Sequence, residues 1–74
     1  MHHKTVVRPL SGTPDHIATA IDEMIEAALS RLSIDAHIRV ERLQVTSVAL
    51  APIVIPGEIP SFAVTILADD RGGQ

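Results

Sequence analysis

Between Thr13 and Leu32, apolar side chains recur at Ile17, Ile21, Met24, Ile25, Ala28, Leu29 and Leu32, the three-and-four spacing that lines one face of a 3.6-residue period. The opposite face carries Thr19, Asp22, Glu23, Glu26 and Ser30, which would not enter an apolar interior unpaired. The pattern predicts an amphipathic helix over 13–32. Its start is marked three ways: the Thr13 hydroxyl can accept from a free amide, Pro14 sits where a missing N–H costs nothing, and Asp15 places negative charge at the positive helix end.

Before the helix, His3 to Leu10 reads as a short strand, with Pro9 near its end and Ser11 and Gly12 as the turn. After a short link at 33–35 the period changes to two. Ala36, Ile38 and Val40 alternate with His37, Arg39 and Glu41, which predicts a strand with one buried face. The alternation slips by one before Leu43 and Val45, and a bulge or bend at Glu41 and Arg42 would account for it. From Val48 to Ile55 the chain is nearly all apolar, but Pro52 cannot donate to a central ladder, so the segment reads as an extended arm or edge ending at the Pro56-Gly57 turn. The last strand, Ser61 to Ala68, sets Phe62, Val64 and Ile66 against Ala63, Thr65 and Leu67, and the polar tail from Asp69 to Gln74 reads as frayed. These elements predict an α+β domain over residues 1–74, in the order β-α-β-β, with a three-stranded antiparallel sheet packed on one helix. The second and third strands form its hairpin.

Composition adds a problem of burial. A chain of 74 residues hides only about 60% of the surface its unfolded form exposes. Here 46% of the residues are hydrophobic, more than one helix and three strands can cover. There is no Cys, so disulfides and thiolate metal sites cannot supply the missing stability. Self-association remains. No apolar run approaches the ~20 residues of a membrane span, and a soluble, cytoplasmic protein is expected. The net charge of −3 with scattered Lys and Arg, and a single aromatic residue, Phe62, argue against nucleic acid as partner.

Chemistry is sparse. No Gly-x-Ser-x-Gly elbow or Gly-rich phosphate loop occurs. Asp22, Glu23 and Glu26 fall on the solvated helix face, and His2 and His3 with His16 or His37 match no metal-ligand spacing. No catalytic residue is expected, and the chain reads as non-enzymatic.

The run Leu10-Ser11-Gly12-Thr13 into an amphipathic helix, then a short link into a long strand, resembles the dodecins, small flavin-binding proteins, over residues 4–68. The resemblance implies a closed homo-oligomer, with a dodecamer as the expected size, and a flavin (FMN or riboflavin) as cofactor. In that family a Trp near the start of the second strand stacks on paired flavin rings between subunits, and a Gln on the third strand hydrogen-bonds the flavin. Registering the helical apolar positions, with one residue fewer in the turn at Pro14, puts the family Trp on His37. This chain has no Trp, no Gln on its third strand, and an apolar arm, Ala49 to Pro60, where the family has Arg-Gly. An imidazole can stack and can donate a hydrogen bond. His37 and Arg39 are therefore the candidate cofactor-binding residues, lining an intersubunit cleft or internal cavity; the alternative leaves them as polar residues on the solvent face of a strand. The function expected is small-ligand binding or storage. The competing reading is a structural module that forms an oligomeric shell or docks a protein partner through the arm.

Overall fold

The computed structural model describes residues 1–9 and 12–71. Along the chain come strand β1 (His2–Pro9), helix α1 (Pro14–Ala36), a single 3-10 turn (Val40–Arg42), strand β2 (Leu43–Ile53) and strand β3 (Ser61–Asp70). The sheet is antiparallel in the order β1-β3-β2, so β3 is central and both β1 and β2 are edges. The α+β class and the single three-stranded sheet agree with the hydrophobic pattern. Leu10 and Ser11, assigned above to the first strand and its turn, lie outside the described residues.

The helix starts as its sequence requires. Thr13 is extended (φ −79°, ψ 166°) and its hydroxyl accepts from the His16 N–H at 3.4 Å, while Pro14 occupies the first turn. The Thr19 hydroxyl donates to the Asp15 carbonyl at 3.1 Å. Gly12 precedes the cap at φ +94°, where a side chain would be strained and would meet His16 Cβ and Nδ1 at 3.1 Å.

The helix does not stop at Leu32. Ser33, Ile34, Asp35 and Ala36 hold no Gly or Pro, so nothing breaks the hydrogen-bond ladder, and α1 runs one further turn to Ala36. The predicted strand over 36–41 is therefore absent. His37 instead adopts the left-handed conformation (φ 56°, ψ 40°). Its N–H donates to the Ile34 carbonyl at 3.3 Å and that of Ile38 to the Ser33 carbonyl at 3.1 Å, the pair of bonds that closes a Schellman-type helix end. The Ser33 hydroxyl also donates to the Ile38 carbonyl. Ile38 turns in against the core, which is why the segment mimics a half-buried strand in the sequence.

The slip in alternation at Glu41 and Arg42 is a 3-10 turn, in which the Arg42 N–H donates to the Arg39 carbonyl at 2.9 Å, rather than a bulge. A bulge does exist, in β2 between Val45 and Ser47. The apolar arm is resolved into two parts: through Ile53 it is paired strand, with Pro52 tolerated because β2 is an edge, and residues 54–60 form the hairpin tip. Of the tail expected to fray, Asp69 and Asp70 belong to β3, and residues 72–74 lie outside the described residues. Asp69 and Asp70 pair with Gln44 and Leu43, and the Arg71 N–H donates to the Arg42 carbonyl at 2.9 Å.

One face of the sheet packs on α1. Met24, Ala28 and Leu32 of the helix meet Phe62, Val64, Ile66 and Ala68 of β3 and Leu43 of β2, with Val6, Ala20, Ile21, Ile25, Leu29 and Ile38 around them. The predicted inward set is thus recovered, with Met24, Ala28 and Leu32 buried and Ile17, Ile21, Ile25 and Leu29 at the margin. Thr19, Asp22, Glu23, Glu26 and Ser30 are exposed.

A left-handed residue with a Cβ costs about 1–2 kcal/mol relative to a right-handed one. His37→Gly should accordingly raise stability by up to about 1 kcal/mol, a shift of about 4–8 °C in Tm for a domain of this size. Thermal unfolding followed by circular dichroism checks this; an unchanged or lowered Tm would mean that the His37 side chain contributes contacts worth more than the strain.

Candidate functional site

The connection between α1 and β2 holds both residues expected to touch a cofactor. His37 is exposed at the helix end and Arg39, also exposed, precedes the 3-10 turn. They share a turn but lie on no strand, which corrects the expectation of a polar strand face: the left-handed residue and the turn break the period-two geometry. Ile38 between them is committed to the core.

A surface depression of ≈ 280 Å³ lies where the start of β1 passes the end of α1, lined by Met1, His2, His3, Leu32, Asp35 and Ala36. His37 and Arg39 are not among its lining residues. Beside it Lys4 of β1 donates to Asp35 of α1 at 2.8 Å, and further along Arg8 faces Glu23 at 3.7 Å, so two ion pairs tie the first strand to the helix. Such exposed pairs contribute little to stability each. The neighbouring ammonium nevertheless holds the Asp35 carboxyl below its usual range, through its hydrogen bond first and its charge second. A depressed carboxyl stabilises the fold at pH values above its unfolded pKa, near 3.8, and that contribution is lost as pH falls through the lower folded value. NMR titration should find Asp35 ionising below 3.8, and Lys4→Gln should return it toward that value; no change on substitution would show that the pair does not persist in solution.

Among the described residues no three His, Cys, Asp or Glu side chains gather into a group that could hold a metal ion. No polar or charged described residue is buried. Nor is any helix among the described residues long and apolar enough to cross a membrane. Asp22, Glu23 and Glu26 are spread along the exposed helix face, with Glu23 engaged by Arg8.

What one chain does display is apolar surface. Helix α1 packs on β1 and β3 and leaves most of β2 bare. By their pairing, Val45, Val48, Leu50 and Pro52 of β2 share the helix-side face with Ala68, Ile66, Val64 and Phe62, yet Val48 and Leu50 remain 44% and 56% exposed. At the hairpin tip Val54 and Ile59 are each 72% exposed and Ile55 51%. The molecule is drawn out to 48 × 23 × 18 Å, with a radius of gyration of 13.7 Å, against about 11 Å for a compact chain of this length. The hydrophobic pattern located the apolar arm but missed Val45, Val7 and Ile34 as exposed positions, because which strand the helix covers is a matter of sheet order. One signal for the bare strand was present: from Leu43 to Gly57 there is no charged residue.

No protein-family model matches the chain. Comparison with curated proteins gives no match, and comparison with solved structures gives none either.

Proposed function

We propose that this chain is a non-enzymatic, self-assembling module whose copies close over the bare face and edge of β2, and that the assembly holds a small ligand between subunits. The observation that carries the reading is the strand left partly open: Val45, Val48 and Leu50 lie beside the core on the same sheet face, yet among the described residues none seals them, and they stay 36%, 44% and 56% exposed. An exposed, uncharged, apolar edge of this length is an aggregation hazard unless a neighbour pairs with it. A closed oligomer is the soluble solution. No polar or charged side chain is buried among the described residues of a single chain, so a ligand would be enclosed by two or more copies.

The resemblance to dodecins supports a flavin, FMN or riboflavin, as that ligand and a dodecamer as the assembly. His37 and Arg39, exposed on one turn, would supply the stacking imidazole and a charge for the phosphate or carbonyl groups. Light scattering should return a mass that is a multiple of 7.9 kDa; a stable monomer at micromolar concentration would sink the assembly reading. Titration of FMN into the assembled protein should quench flavin fluorescence saturably, less strongly in His37→Ala. Full native size without any quenching would leave an interaction module that forms a shell or docks a partner protein.

A further inference from the structure

We draw no further inference here: the strongest candidate, the surface depression between the start of β1 and the end of α1 lined by His2, Leu32, Asp35 and Ala36, has its carboxylate already engaged by Lys4 at 2.8 Å and, with no polar side chain buried among the described residues, nothing in the structure selects the chemical class of a ligand for it.

Discussion

Truncating Met24 to Ala should cost the domain about 2–5 kcal/mol. Met24 is fully buried at the centre of the helix-facing cluster, against a layer formed by Val64 and Ile66, which are also fully buried. The cost combines the lost transfer energy of the thioether with a cavity that the β3 side chains cannot fill without leaving their strand geometry. A single core in a chain of this size rarely supplies more than about 3–5 kcal/mol. The substitution should therefore leave much of the isolated chain unfolded. Urea titration followed by far-ultraviolet circular dichroism measures it, and Met24→Leu, which conserves volume, should lose less than about 1.5 kcal/mol. If Met24→Ala unfolds at the wild-type midpoint, the helix is not docked on β3 as described.

The second large effect is expected at the hairpin end. Ile53 closes β2 half-buried, and Ile55 is 51% exposed on the tip. Neither belongs to the core cluster, so Ile53→Asp with Ile55→Asp should leave α1 and the protomer fold in place. In the proposed assembly both side chains meet a neighbour. Burying an aliphatic side chain is worth about 1.5–3 kcal/mol, so losing two, before any penalty for the new carboxylates, corresponds to a dissociation constant weaker by roughly 10²–10⁴. Sedimentation should show smaller species with the helical circular dichroism signal intact. Retention of the native size would place the subunit contact away from the tip.

The three prolines of this region fit the same scheme. Pro52 removes one ladder donor, and Pro56 and Pro60 restrict the tip. A tip already restricted loses less conformational freedom when it docks. Glu58 keeps the turn closed through its N–H to the Ile55 carbonyl at 3.0 Å.

The sequence by itself determined those features whose causes are local. The Thr13-Pro14-Asp15 start, the inward stripe through Met24, Ala28 and Leu32, and the alternation of Phe62, Val64 and Ile66 in β3 all appear in the structure, because capping and periodicity act over a few residues. Pro52 likewise announced an edge strand. Only the tertiary structure decided the segment around the candidate cofactor residues. His37, Ile38 and Arg39 alternate as a strand would, yet Ile38 is turned inward by a left-handed residue and a 3-10 turn; periodicity records which side chains are buried and not how the backbone delivers them. The same holds for exposure. Val48 and Val64 are equally apolar and lie on the same sheet face, but β3 is central beneath α1 and β2 is outside it. One valine is sealed and the other open because sheet order is set by pairing between distant segments, which no local pattern encodes.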